Sequence, residues 1–238
     1  MRILAVDTSA PTATAAIMTD GKMTGLYSLQ TNTHSTTLLP MIESMLEKLQ
    51  LDVQDFDLLT AAVGPGSFTG IRIGVSTIKG LAFTHNIPCI GVSSLEAMAW
   101  TISGFSGILC PALNARRNQV YTASFECDGI NPPKRIAEDN VLPVEEVCEK
   151  LAQYNKPVYV TGDGYTMLHA AAKEGLLSPT PEMLRYPNAF GAAQAAQLHY
   201  SSAEDKSVFT EAHLLPVYLR KSQAEREREE RLAEKAEK

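Results

Sequence analysis

The chain opens with an apolar run, Ile3-Leu4-Ala5-Val6, closed by Asp7, and continues with a run of small and apolar residues from Thr12 to Met18. Asp20-Gly21 follows, the pair favoured in tight hairpin turns, so Ile3–Asp7, Thr12–Met18 and Lys22–Gln30 read as three successive strands. The period then becomes helical. Leu38, Ile42, Met45 and Leu49 share one face, with Leu39 and Leu46 beside it. Pro40 is tolerated only in a first helical turn, which predicts a helix beginning between Ser35 and Leu39. Leu58 to Val63 reads as a buried strand, Thr69 to Thr84 as a helix and Ile90-Gly91-Val92 as a short strand. Ser93-Ser94-Leu95-Glu96 has the capping serine of another helix start.

The same order returns in the second half. Gly107 to Leu113 is a strand ending in the polar loop Asn114-Ala115-Arg116-Arg117-Asn118. Gln119 to Glu126 is the next strand, Asp128-Gly129 a second hairpin turn, and a third strand lies near Lys134-Arg135-Ile136. Pro143 marks the start of a helix over Val144 to Leu151. Pro157 to Gly164 is a strand that leaves through glycines into a further helix. A duplicated unit of three antiparallel strands followed by helix, strand and helix predicts an α/β fold with two subdomains, the duplicated actin-like (ASKHA, ribonuclease H-like) fold of actin, Hsp70 and sugar kinases. The expected division is residues 1–104 and 105–219, with 220–238 as a charged tail, helical or disordered.

Bulk properties narrow the partners. At 238 residues the chain suffices for one large domain or two modest ones. Its net charge of −6 argues against autonomous nucleic-acid binding. No apolar run reaches the roughly 18–20 residues of a membrane span, and Asp7 interrupts the first strand too early for a signal peptide. Cys89, Cys110, Cys127 and Cys148 form no CxxC pair, which fits reduced, buried thiols and a cytoplasmic location. The tail from Arg220 to Lys238 carries seven basic and six acidic residues and one leucine, a solvated helix or a contact for a partner or tRNA.

Candidate chemistry centres on Gly64-Pro65-Gly66-Ser67-Phe68-Thr69-Gly70, between a strand and a helix. Such a turn can cradle an anion on backbone N–H groups, or can be a tight connection. It lacks the Gly-Lys-Ser/Thr of a Walker loop. It fits a GxGxxxG dinucleotide variant, but no acid closes the next strand to hold a ribose, and Ser67 lacks the glycine of a nucleophile elbow. In the helix that follows, Gly70, Gly74, Thr77 and Leu81 form a small-residue stripe suited to close packing, within the chain or across an interface. Asp7, at the end of the first strand, either holds a metal ion and phosphate or caps its own turn. Its counterpart in the second half is the uncharged Asn114, so a facing pair of cleft carboxylates is expected to be missing. The five histidines show no metal-ligand spacing. Asp7, Thr8, Ser9, Ser67, Thr69, Arg72, Arg116 and Arg117 are the candidates for a nucleotide or tRNA cleft. No catalytic or metal residue is assigned.

Four segments carry a resemblance over nearly the whole chain: Ile3-Leu4-Ala5-Val6-Asp7-Thr8-Ser9, Gly64 to Gly74, Ala115-Arg116-Arg117 before Val120-Tyr121, and Leu215-Pro216-Val217-Tyr218-Leu219-Arg220. Together they resemble the bacterial TsaB (YeaZ) family, paralogues of TsaD. The resemblance implies a non-catalytic scaffold or dimerization subunit that binds and activates TsaD for threonylcarbamoyl transfer to adenosine of ANN-decoding tRNAs. It implies TsaE as a further partner, a functional link to TsaC, tRNA bound through the complex, and a homodimer when alone. No cofactor is expected to bind this chain tightly; ATP and metal ion would be used through TsaD and TsaE. Two metal-binding histidines of TsaD are matched by Ser94 and Met98, neither of which replaces an imidazole ligand. Asn114 stands where the family more usually has aspartate. The resemblance also implies a TsaD-binding face on the helices near Ser35–Leu49 and Thr69–Thr84, with Leu38, Leu39, Ile42, Met45, Gly70, Gly74, Thr77 and Leu81 as candidates. The alternatives are a stand-alone ATP-dependent kinase-like enzyme, a peptidase, or a dinucleotide-dependent oxidoreductase.

Overall fold

The computed structural model describes residues 1–31 and 33–220; the expectations for 221–238 lie outside the described residues. Two sheets are each built from an antiparallel meander extended by parallel strands. In the first, β1 (Arg2–Asp7), β2 (Thr12–Thr19) and β3 (Lys22–Gln30) pair antiparallel, and β4 (Leu58–Gly64) and β5 (Cys89–Ser93) add in parallel, giving the order β3-β2-β1-β4-β5. In the second, β6 (Ser106–Asn114), β7 (Gln119–Asp128) and β8 (Lys134–Pro143) repeat the meander and β9 (Val158–Thr161) joins β6 in parallel, order β8-β7-β6-β9. The central strands β1 and β4 read as nearly continuous apolar runs because helices cover both faces of the sheet.

Helix α1 (His34–Leu49) starts earlier than Pro40 predicts. Pro40 therefore sits in the second turn, on the exposed side, where the carbonyl of exposed Thr36 that it leaves unpaired can be met by water. Helix α2 (Phe68–His85) is capped by Ser67, whose hydroxyl accepts the Gly70 N–H at 3.2 Å, and it ends at the left-handed Asn86. Both helices pack on one face of the first sheet through Leu38, Ile42, Met45, Ile71, Val75, Ile78 and Ala82. Helix α3 (Ser94–Thr101) follows β5; α4 (Val144–Leu151) and α5 (Tyr165–Ala171) cover the second sheet.

A sixth helix, α6 (Ala189–Ser202), does not announce itself by large apolar residues at helical spacing. Its Ala189, Ala192, Ala193, Ala195 and Ala196 are buried against β1, β2 and β5 of the first sheet. The chain thus returns from the second half to close the first, and Leu214 ends in the first core as well. The halves are also fastened by polar contacts. Ser93 donates to Asp139 at 2.6 Å, and Arg135 on β8 lies 3.8 Å from Glu96 on α3, which meets His199 of α6 at 2.7 Å.

Candidate functional site

The β1–β2 turn, the glycine loop, the start of α1, the β6–β7 turn and the C-terminal strap surround one cleft of about 1120 Å³. It lies between the C-terminal ends of β1, β4 and β6. The glycine loop is bound into this wall rather than open. Gly66, at φ +152, brings the backbone against Ser9, and the Ser67 N–H donates to the Ser9 carbonyl at 2.7 Å. On its other side the Val217 N–H donates to the Val63 carbonyl at 2.8 Å. A loop amide that already serves the chain's own carbonyl is not available to a phosphate.

Of the predicted cleft residues, Ser9, Ser67, Thr69, Arg72 and Arg116 line the cleft. Asp7 and Thr8 lie beneath its surface, fully buried. Thr8 Oγ1 donates to the Gly70 carbonyl at 2.7 Å, tying β1 to α2. Arg72 lies over the Phe68 ring at 4.0 Å and donates to Tyr218 Oη at 2.8 Å, while Phe68 and Tyr218 stack at 4.3 Å. Arg220 reaches across to the Ala115 carbonyl at 2.9 Å, so the strap spans from one half to the other. Arg117 sits in the same turn as Arg116, beside the lining residues.

Asn114 Oδ1 accepts the Arg116 N–H at 2.8 Å. An amide oxygen makes that bond as a carboxylate would, which accounts for asparagine at this position. The turn then runs through Arg116, Arg117 and Asn118, all in the left-handed region at φ 61, 52 and 55. The expectation that the second half lacks a cleft carboxylate is corrected by Asp163. It follows β9, lines the cleft and accepts the Asn114 N–H at 2.9 Å; burial raises its pKa. The sequence signal was Gly162-Asp163-Gly164 at the end of a buried strand, where small neighbours let an acid reach the strand ends.

The predicted partner face also needs correction. Gly70 and Gly74 are buried against the chain's own Thr8, and a Cβ on Gly74 would stand 2.6 Å from Thr8 Oγ1. Leu38, Ile42 and Met45 are likewise core, because α1 turns its richest face to the sheet. Thr77 and Leu81 are half-buried, and Leu39 is 42% exposed. The outward stripe of α2 is instead Arg72, Ser76, Gly80 and Phe83. Gly80 has open space where a Cβ would be, and Phe83 is 69% exposed. The buried stripe serves the fold, and the outward one sets two small residues, Ser76 and Gly80, between Arg72 and Phe83.

Ser94 and Met98 are both absorbed by the fold. Ser94 Oγ accepts the Gly64 N–H at 3.2 Å, and Met98 is buried among Leu95, Leu109 and Phe125.

Burial raises the Asp7 carboxyl to about 6 against the bond from Ser9 and the charge of His34. In the unfolded chain it ionises near 3.8. Between these values the folded state holds the extra proton, so stability falls as pH rises through the window and levels off above it. Measured by urea unfolding at pH 4 and pH 7.5, Asp7→Asn is expected to gain on the native chain by up to about 3 kcal/mol across that interval. A constant difference between the two proteins would count against this reading.

The model of the family described as TsaD, tRNA N6-adenosine threonylcarbamoyltransferase, matches residues 28–227. The tRNA threonylcarbamoyladenosine biosynthesis protein TsaB of Escherichia coli (strain K12) is 34% identical over 94% of this chain and 96% of its own length. TsaB of Bacillus subtilis (strain 168) is 34% identical over 74% of this chain and 77% of its own. Among solved structures, YeaZ from Pseudomonas aeruginosa matches with a TM-score of 0.76 at 24% identity, covering 92% of this chain and 99% of that one. Component A of the (R)-2-hydroxyglutaryl-CoA dehydratase of Acidaminococcus fermentans matches at 0.52 and 13% identity, over 85% of this chain and 100% of its own, which extends the likeness to the wider actin-like fold. On the strength of the matched span and these relatives, the chain belongs to the TsaB family.

Proposed function

We propose that this chain serves tRNA threonylcarbamoyladenosine biosynthesis as the non-catalytic partner of TsaD. The observation that carries the reading is the fate of Ser94 and Met98. The positions that resemble TsaD's metal-binding histidines hold a hydroxyl spent on Gly64 and a thioether sealed in the core. Neither is an imidazole ligand, and neither is presented to the cleft. TsaD then supplies the transfer to adenosine of ANN-decoding tRNAs, and ATP and metal ion are used through TsaD and TsaE, with TsaC feeding the pathway.

The docking face is the outward side of α1 and α2. Leu39 and Pro40 on α1 and Ser76, Gly80 and Phe83 on α2 are exposed. A large aromatic beside small residues on one stripe is a shape that a partner helix can approach closely. In the absence of TsaD the same surface serves a homodimer, and tRNA is met through the complex. The stand-alone alternatives lose support from the cleft: Ser67 spends its hydroxyl capping α2, and the loop amide at Ser67 is taken by Ser9.

Purified chain mixed with TsaD should form one complex by sedimentation, and alone should turn over neither ATP nor peptide. Turnover by the pure chain that disappears on changing Ser67 or Asp7 would overturn the non-catalytic reading.

A further inference from the structure

The C-terminal strap holds one exposed arginine in a fixed position. Arg72 heads the outward stripe of α2 and also lines the cleft, so it stands where the docking face and the cleft rim meet. Its guanidinium lies 4.0 Å above the Phe68 ring, and its Nε donates to Tyr218 Oη at 2.8 Å. Tyr218 is fixed in turn. Its ring stacks on Phe68 at 4.3 Å, the Val217 N–H before it donates to the Val63 carbonyl at 2.8 Å, and Arg220 after it reaches the Ala115 carbonyl at 2.9 Å. An exposed arginine ordinarily moves among many rotamers and loses that freedom when it is bound. Here the strap has removed much of that freedom in advance, which favours binding. Among the described residues no acceptor meets either terminal nitrogen of Arg72.

The geometry of the fork selects what it takes. With Nε spent on Tyr218, the guanidinium keeps the N–H groups of Nη1 and Nη2, which receive the two oxygens of one carboxylate side by side. A phosphate calls on further donors, and the loop amide at Ser67 already serves the Ser9 carbonyl. Val217, 47% exposed, and Tyr218, 38% exposed, lie on the same rim. Covered by a partner, these apolar surfaces would exclude water from the pair, as the surroundings of an interface anchor do. Phe83 lies about 16 Å further along α2 at a rise of about 1.5 Å per residue. Both therefore fall within the patch of about 800 Å² that a partner of ordinary size covers.

We propose that Arg72 is the polar anchor of the TsaD-docking face, taking a carboxylate side chain of TsaD on its terminal nitrogens, with Tyr218 of the strap as its positioning residue. The inference rests on the reading of α1 and α2 as that face and extends the contact onto the strap. It gives the Phe68–Arg72–Tyr218 stack a task outside the fold: an arginine held ready for one planar, bidentate partner.

Titration calorimetry of the full chain against TsaD at several salt concentrations tests the assignment, with circular dichroism as the check on folding. Arg72→Gln should weaken binding about 10- to 30-fold and flatten its dependence on salt, since the screened pair is gone. Arg72→Lys should not restore the affinity, because a point charge lacks the fork. Tyr218→Phe keeps the stacked ring and removes one hydrogen bond. It should weaken binding about 3-fold in the native chain and leave Arg72→Gln unchanged, the non-additivity of residues that act together. A tyrosine with a merely structural role would cost the same in both backgrounds. Should Arg72→Gln fail to fold, Arg72→Lys reads the loss of the fork with the charge kept. Native affinity in Arg72→Gln, full rescue by Arg72→Lys, or an equal cost of Tyr218→Phe in both backgrounds would overturn the proposal. Binding lost in Phe83→Asp but kept in Arg72→Gln removes the anchor and leaves the docking face standing; binding kept in both removes the face as well. A loss in Arg72→Gln seen only when ATP or tRNA is present would assign the fork to a phosphate and overturn the carboxylate.

Discussion

Phe83→Asp is expected to weaken association with TsaD by about 30- to 100-fold while leaving the chain folded. Phe83 stands 69% exposed on the outward stripe of α2, so removing it takes little from the fold; surface substitutions of this kind stay within about 0.5 kcal/mol of the native stability. Buried at the centre of an interface, an aromatic anchor is worth about 2–3 kcal/mol or more, and a carboxylate left in its place adds a desolvation cost. Sedimentation or titration calorimetry against TsaD reads the affinity, and circular dichroism reads the fold. Undiminished binding by a folded Phe83→Asp chain would remove α2 from the interface. Leu39→Asp provides the matching test on α1.

The opposite side of the same helix should behave in the reverse manner. Gly70→Ala would ordinarily gain about 1 kcal/mol of helix propensity. Here it is expected to lose about 3 kcal/mol or more, because the new Cβ would enter the space of the Thr8 carbonyl oxygen, buried backbone that cannot retreat. Gly74→Arg adds a charged chain against Thr8 Oγ1 and Val6, and in a domain stable by about 5–15 kcal/mol it should prevent folding or nearly so. Loss of TsaD binding in Gly74→Arg would thus report unfolding rather than a damaged interface. Urea unfolding distinguishes the two: a Gly74→Arg chain with a native midpoint would contradict the packing described for α2 and β1.

The architecture was largely legible because each sheet repeats the same order of apolar runs and turns. Asp20-Gly21 and Asp128-Gly129 mark corresponding hairpins, and β4 and β9 are apolar strands leaving through glycines. Helix α6 was not legible in that way. A helix that buries alanines against a sheet shows almost no contrast between its faces, and only Asn188, whose side chain accepts the Phe190 N–H, marks its start. Sidedness was the second loss. A stripe such as Gly70–Gly74–Thr77 says that something approaches closely, but sequence does not say whether it is β1 of the same chain or a partner. Pro40 misled for a related reason: a proline on the exposed side of a helix costs less than one facing the core. Asp163 escaped notice because Asn114 occupied the expected position for the second acid, whereas the carboxylate is delivered from the next strand end.

The family assignment and the corrected interface converge on one assay. TsaC, TsaD, TsaE, tRNA, ATP, threonine and bicarbonate are combined, and threonylcarbamoyladenosine is quantified with no further protein, with the native chain, and with Phe83→Asp. Modification should require the native chain and should fall in proportion to lost association when Phe83→Asp replaces it. Equal product without the chain, or full activity from a variant that no longer binds TsaD, would contradict its role as TsaD's activating partner.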